Sequence, residues 1–275
     1  MKVLYEPNAV SLVEREQILR WLQTIHPIWE WRYSQVDGPP AGESQRKLLR
    51  PVYWLGNWQF ACLDYYRPPN GILNRAIRAE AFPAVLSGIV RRAEELALRT
   101  YQGAELPRGW KLNTCLVNFY GRRLLPDEKW EDVARVGEHK DYEPGPVASV
   151  SLGERALFQF VESSQKGTRK GVVLQQWLED RSLQIFGGER WKRKLFHRVQ
   201  RVEEKRPAEQ LGPEIDGFRT RRINFTFRYV PEAHWADYEG LPPQIQESIR
   251  EYVEVLAQNS DFFRSALLGS KAHEG

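Results

Sequence analysis

Cysteine is scarce in this chain, and the two present among 275 residues, Cys62 and Cys115, have neither metal-ligand spacing nor the count of a disulfide framework. Two reduced, buried thiols are the expectation. No stretch approaches the roughly 20 apolar residues needed to cross a bilayer, and the N-terminal residues lack the apolar core of a secretory signal. The expectation is a soluble, membrane-free protein, cytoplasmic or, in a eukaryotic source, nuclear. An excess of charge of one sign is also missing. Forty Lys and Arg against 36 Asp and Glu leave +4 and a pI near 9.0, so the placement of the basic residues matters more than their total. Neither internal repeats nor low-complexity tracts occur, which removes solenoids and disordered arrays. The length exceeds a typical domain of ~100 to 150 residues but suits one monomeric domain with extensions.

What is present centres on Gly137-Glu-His-Lys-Asp-Tyr-Glu143, followed by the alternating run Val147-Ala-Ser-Val-Ser-Leu152. In a β-strand, residues i and i+2 share a face, so His139 and Asp141 aim together. An imidazole and a carboxylate so placed hold two adjacent positions of a metal ion, and His197, in Leu195-Phe-His-Arg-Val199, offers a third. Two His and one carboxylate cap one face of an octahedral ion and leave the other open, the arrangement of non-haem Fe(II) oxygenases. A His-x-Asp pair is common by chance, and alone it reads more readily as two solvated polar residues at a strand start.

Further evidence comes from Arg222-Ile-Asn-Phe-Thr-Phe-Arg228. Arg222, Asn224, Thr226 and Arg228 fall on one strand face, Ile223, Phe225 and Phe227 on the other. A cationic polar face backed by a core face describes many surface strands, but two guanidiniums also suit a dicarboxylate, which arginine binds bidentately. On four blocks taken together, the chain resembles the AlkB family of Fe(II)- and 2-oxoglutarate-dependent dioxygenases. They are Leu116-Val-Asn-Phe-Tyr120; His139-Lys-Asp141 with Ser149-Val-Ser-Leu-Gly153 and Phe158-Gln-Phe160; Phe186-Gly-Gly-Glu-Arg190 leading to His197; and Arg222 to Arg228.

The resemblance implies an α+β protein whose core is a double-stranded β-helix, or jelly roll, with the metal inside one open end. The expected division is an N-terminal helical extension with a nucleotide-recognition lid over 1–110, the catalytic core over 111–230, and a C-terminal helix and tail over 231–275. Periodicity supports this outline. Ser11 and Glu14 form a capping pattern before a stripe of Val13, Ile18, Leu19, Leu22 and Ile25, and Phe82 to Leu98 reads as a second helix. Lys111 to Tyr229 turns toward a period of two. Pro242 and Pro243 precede a third stripe, Ile245, Ile249, Val253 and Leu256.

By resemblance, His139, Asp141 and His197 are the iron ligands, Arg222 pairs with the distal carboxylate of 2-oxoglutarate, and Arg228 supports the end nearer the metal. Asn118, Tyr120 and Asn224 complete that pocket, and O2 is the other co-substrate. The implied reaction is oxidative demethylation of an alkylated DNA or RNA base such as 1-methyladenine or 3-methylcytosine, as in DNA repair, with release of formaldehyde, succinate and CO2. The partner is then nucleic acid, its target base flipped out and held between an aromatic side chain and the first histidine ligand. Trp58, Tyr65 and Tyr66, in an aromatic and basic segment from Gln45 to Pro69, are the stacking candidates, and Glu143 is the candidate contact to an exocyclic amine. Core packing is the competing account of the aromatics and a solvated turn that of Glu143.

A basic cluster around His197 (Arg190, Lys192, Arg193, Lys194, Arg198, Arg201) is either a phosphate-binding rim or a solvated face balanced by Glu203 and Glu204. His26, His234 and His273 belong to no cluster. Eighteen residues, Gly121 to Glu138, lie between Tyr120 and His139, a departure that bears on the substrate opening. Competing functions are the same cofactor chemistry on a protein side chain or small molecule, and a nucleic-acid-binding module with a vestigial iron site.

Overall fold

Alternation along two long strands decides the architecture. Thr114–Leu124 and Phe218–Arg228 run antiparallel with Tyr120 opposite Arg222 and Asn118 opposite Asn224. Their odd-and-even split sends Val117, Phe119, Ile223, Phe225 and Phe227 into one apolar cluster and the polar residues to the other face. The computed structural model describes residues 2–32, 46–47, 50–59, 76–162, 171–202 and 210–272.

These two strands are the middle of a seven-stranded sheet. In spatial order it runs Val3–Glu6, Ser182–Phe186, Val147–Gly153, Phe218–Arg228, Thr114–Leu124 and Val52–Leu55, with Trp130–Asp132 paired to the far end of Thr114–Leu124. A four-stranded antiparallel sheet faces it, ordered Val172–Leu178, Ala156–Val161, Phe196–Val202 and Val136–His139. Tyr120, Val147, Phe158, Phe160, Phe186 and Trp191 share a second apolar cluster that joins the sheets. Two antiparallel sheets closed over one interior make the jelly roll. At a bulge beside Thr220, Gly121 is required by contact: a Cβ there would lie 1.8 Å from the Arg219 carbonyl oxygen.

Helices cover the outer face of the larger sheet. Helix α1 (Leu12–Leu22) starts at the Ser11–Glu14 capping box, and α2 (Ala84–Thr100) adds Leu86, Ile89, Val90, Ala93 and Ala97 to the same apolar cluster. Ile18 and Leu22 of α1 are fully buried, whereas Val13, expected in the stripe, is 64% exposed, since it lies in the first turn on the solvent side. Helix α3 (Pro243–Ala257) contributes Ile249, Val253 and Leu256, and α4 (Asp261–Ala272), not foreseen in the sequence, packs on α3 and adds Phe263.

The expected boundary at residue 110 is not a structural one. Val3–Glu6 and Val52–Leu55 are strands of the larger sheet, so the N-terminal third is woven into the core. Of the two cysteines, Cys115 is a free, buried thiol, its pKa pushed well up by burial, while Cys62 lies outside the described residues. Phe225 is fully buried between Trp21 and Phe227. Phe225→Ala is therefore expected to cost ~3 to 5 kcal/mol of unfolding free energy. In urea titrations, Val13→Ala should stay within ~0.5 kcal/mol of the parent and Ser11→Ala, which removes the cap, should lose about 1 kcal/mol.

Candidate metal centre and anion pocket

His139 ends the last strand of the smaller sheet and lies directly opposite His197 on the neighbouring strand, their ring centres 4.2 Å apart. The strand stops at His139, so Asp141 projects from the loop that follows, not from the strand face expected of an i, i+2 pair. The loop nonetheless turns its carboxylate back: Asp141 Oδ2 lies 3.3 Å from His197 Nε2, and one ligand atom from each of the three residues falls within 4.8 Å of the others. His139 Nδ1 donates to the Gly137 carbonyl at 2.8 Å, which leaves the Nε2 lone pair for a metal. Burial, aided by the charge of His197, pushes His139 down to about 3, so it is neutral and able to ligate near pH 7.

Asp141 is tied to the larger sheet by Arg228, whose Nε and Nη2 donate to Oδ1 at 2.9 and 2.7 Å. Burial alone would raise the carboxyl, but Arg228 and His197 outweigh it and hold Asp141 well below the usual carboxylate range. Its Oδ2 is buried with no hydrogen-bond partner, the condition of an oxygen shaped to bind a cation. An ionised carboxylate, two imidazoles and an unpaired oxygen fit a divalent metal of the non-haem iron type. Behind His197, Phe158 stacks at 5.5 Å and Phe186 lies at 5.1 Å, which fixes the ring in a dry wall.

The loop after Asp141 is anchored from a six-residue π-helical turn, Glu189–Lys194. Lys192, 3% exposed, reaches inward and donates to the carbonyls of Glu143 and Gly145. Burial lowers its pKa to about 8. Lys192 is thus an internal clamp and not the surface cation expected in the sequence. Glu143 is likewise fully buried, with its carboxylate 3.5 Å from Arg228 Nε, so it lies behind the metal site and away from the mouth.

A cavity of about 740 Å³ opens between the sheets and takes in the three candidate ligands and the polar face of the larger sheet. On that face Asn224 Nδ2 donates to Ser149 Oγ at 2.8 Å, Asn224 Oδ1 accepts from Thr226 Oγ1, and Asn118 Oδ1 accepts from Arg50 Nε at 2.8 Å. Arg222, 1% exposed, donates from Nη2 to Ser151 Oγ and lies 4.9 Å from the centre of the Tyr120 ring. Its Nε and Nη1 are buried with no hydrogen-bond partner. Burial lowers the Arg222 pKa, with Tyr120 opposing and Arg50 adding to the effect. A buried guanidinium with two uncommitted N–H groups fits an incoming carboxylate.

The structure therefore brings together His139, Asp141, His197, Asn118, Tyr120, Arg222, Asn224 and Arg228. Trp58 is elsewhere: 1% exposed, its indole donates to Glu30 Oε1 at 2.7 Å and its ring meets Phe263 edge-on, so it is a core residue and not a stacking platform. Tyr65 and Tyr66 lie outside the described residues, as do His273, Glu203 and Glu204. In the basic cluster, Arg190, Arg193 and Lys194 are exposed, and Arg198 is engaged by Glu138 and Gln159. Sequence reasoning missed the site roles of Arg50 and Lys192.

A family model described as the 2OG-Fe(II) oxygenase superfamily matches residues 3–228. No curated protein matches the chain. Among solved structures, OsALKBH1 is 22% identical, with 83% of this chain and 98% of that one covered and a TM-score of 0.48. A full-length Neurospora crassa protein in complex with alpha-KG is 13% identical, with 92% and 86% covered and a TM-score of 0.38. YcfD, a ribosomal oxygenase from Escherichia coli, is 14% identical, with 61% and 53% covered and a TM-score of 0.22.

Replacing His139, Asp141 or His197 by Ala is expected to abolish Mn(II) binding in calorimetry while circular dichroism stays that of the parent. Arg228→Met keeps all three but frees the Asp141 carboxylate, and Mn(II) affinity should fall roughly ten- to hundredfold.

Proposed function

The chain belongs to the 2OG-Fe(II) oxygenase superfamily, and on that premise we propose that it is an AlkB-type enzyme that oxidatively demethylates alkylated nucleic-acid bases. As a member of that family it is a dioxygenase that uses Fe(II) and 2-oxoglutarate. The observation that carries the finer reading is that all four sequence blocks resembling AlkB fold onto the walls of one cavity. Leu116, Asn118 and Tyr120 come from the first, His139, Asp141, Ser149 and Phe158 from the second, Phe186 and His197 from the third, and Arg222, Asn224, Thr226 and Arg228 from the fourth.

Bound iron supplies the oxidation, in which O2 converts 2-oxoglutarate to succinate and CO2 and the second oxygen atom goes to the N-methyl carbon, which leaves as formaldehyde. In the proposed assignment His139, Asp141 and His197, all on the cavity wall, would hold the metal. Arg228 fixes the Asp141 carboxylate so that Oδ2 points at the metal position. Arg222 receives the distal carboxylate of 2-oxoglutarate, with Tyr120 packed against its guanidinium and Asn118 and Asn224 at its side. The cavity lies within the ~300 to 1,000 Å³ range of small-ligand pockets, which suits a co-substrate and a flipped heterocycle together. Trp58 is committed to the core, and Tyr65 and Tyr66, outside the described residues, remain the stacking candidates from the sequence. The exposed Arg190, Arg193 and Lys194 are the phosphate contacts, and affinity for the nucleic-acid partner should weaken with salt.

The test is formaldehyde release from oligonucleotides carrying 1-methyladenine or 3-methylcytosine, with succinate measured alongside. Formaldehyde in step with succinate is expected. Succinate without formaldehyde from any methylated oligonucleotide would reject the base-demethylase reading in favour of a protein side chain or small molecule. Arg222→Met should raise the 2-oxoglutarate concentration needed for half-maximal succinate formation by roughly ten- to hundredfold and leave Fe(II) affinity near the parent value.

A further inference from the structure

A short crossing spans the two sheets at the Arg222 end of the cavity. Val133, buried, donates its N–H to the Gly121 carbonyl at 3.0 Å on the larger sheet, one residue from Tyr120. Three residues on, Val136 pairs with Val199 of the smaller sheet. Residues 133–136 thus pass from one sheet to the other beside the Tyr120–Arg222 pair. They belong to the segment Gly121 to Glu138 that lengthens the chain between Tyr120 and His139.

Arg135 stands in that crossing. Its N–H donates to the Val133 carbonyl at 2.8 Å and buried Val133 and Ala134 precede it, so its backbone is fixed. The strand Val136–His139 then runs back toward the metal ligands, which puts Arg135 ~13 Å from His139 at ~3.3 Å per residue. Of the residues that line the cavity, Arg135, Gly137 and Gln200 are the exposed ones, and they mark where it meets solvent. Arg135 and Gln200 each lie one residue beyond the Val136–Val199 pair, on adjoining strands. Arg198, also on the cavity wall, is held by Glu138 and Gln159, and Arg228 by Asp141. Among the described residues, none forms an ion pair or hydrogen bond with the Arg135 guanidinium.

We propose that Arg135 is the entrance residue of the co-substrate pocket, which draws the 2-oxoglutarate dianion to the opening from which it passes to Arg222. A charge at an exposed rim acts on the approaching ion more than on the bound one, so it governs capture and the salt dependence of capture. Behind it Arg222 keeps two buried N–H groups without partners, the receiving end of the path. The place of Arg135 at the Arg222 end favours the co-substrate over the phosphates of a nucleic acid, for which Arg190, Arg193 and Lys194 are exposed on the turn before His197. The inference rests on 2-oxoglutarate as co-substrate and says nothing of the methylated substrate, so it stands or falls independently of the demethylase reading.

The experiment compares 2-oxoglutarate with 2-oxopentanoate, a monoanion of the same carbon count and metal-facing end. Association and dissociation rate constants are measured by stopped flow on the full chain loaded with Fe(II) under argon, where chelation by a 2-oxo acid gives a visible absorption and no turnover occurs. Arg135→Gln should slow 2-oxoglutarate association roughly three- to tenfold, change its dissociation less than about twofold and flatten the salt dependence of association. Association of 2-oxopentanoate should slow by a smaller factor, and Arg135→Lys, which keeps the charge, should stay within about twofold of the parent. An unchanged association rate constant, equal slowing of both acids, or an effect confined to dissociation would overturn the proposal. Unaltered 2-oxoglutarate capture with weaker binding of an oligonucleotide would overturn it too and assign Arg135 to the phosphates of the substrate. A parent chain that binds no 2-oxoglutarate would overturn the co-substrate pocket itself, and the part of Arg135 with it.

Discussion

Beside the apolar cluster that packs the two sheets together, the buried carboxylate of Asp141 ties one to the other. Asp141 follows the last strand of the small sheet, accepts two N–H groups from Arg228 on the large one, and turns its other oxygen toward His197. Removing such a charge from water costs several kcal/mol, recovered only if the partners are fixed in good geometry. Arg228 is fixed by the central strand, His197 by its aromatic backing, and the loop itself by the Lys192 ammonium on two carbonyls. The pair contributes orientation more than stability. It sets the direction in which Oδ2 faces, and a metal site depends on that direction.

The same alternation that makes the core also makes the pocket. Along Phe218–Arg228 every second residue enters the helix-backed apolar cluster and the others line the cavity. A one-residue slip in register would exchange the two sets, placing arginines against helices α1 and α2 and phenylalanines in the cavity. Core packing therefore fixes the register on which the spacing of the anion pocket rests. A bulge beside Gly121 accommodates the irregularity near one end of the pairing without disturbing Arg222 or Asn224.

The jelly roll, the general placement of helices α1 to α3 and the chemistry-bearing residues were legible to different degrees. Arg222, Asn224, Thr226 and Arg228 could be read because period two is a local signal, and His139 and Asp141 for the same reason, although the strand ends between them. Arg50 was not legible, since its bond to Asn118 joins residues 68 positions apart, which no local pattern encodes. Lys192 looked like one basic residue among six until a π-helical turn aimed it inward. Trp58 reads in the sequence as one of several aromatics in a basic segment, and only its burial beside Glu30 identifies it as a core residue. Val3–Glu6 is too short to announce itself, and it overturned the simple division of the chain at residue 110.

That short strand has a consequence for how the molecule assembles. Val3–Glu6 occupies the outer edge of the large sheet against Ser182–Phe186, the strand whose Phe186 touches His197. Its partner is made long after it, so the pairing closes a loop that spans most of the chain, the kind of contact that forms late and slows folding. Until it forms, the backbone groups of Ser182–Phe186 face solvent as an open template for another chain. A chain in which Val3–Glu6 is unpaired therefore offers the edge of Ser182–Phe186, the strand whose Phe186 backs His197, to self-association.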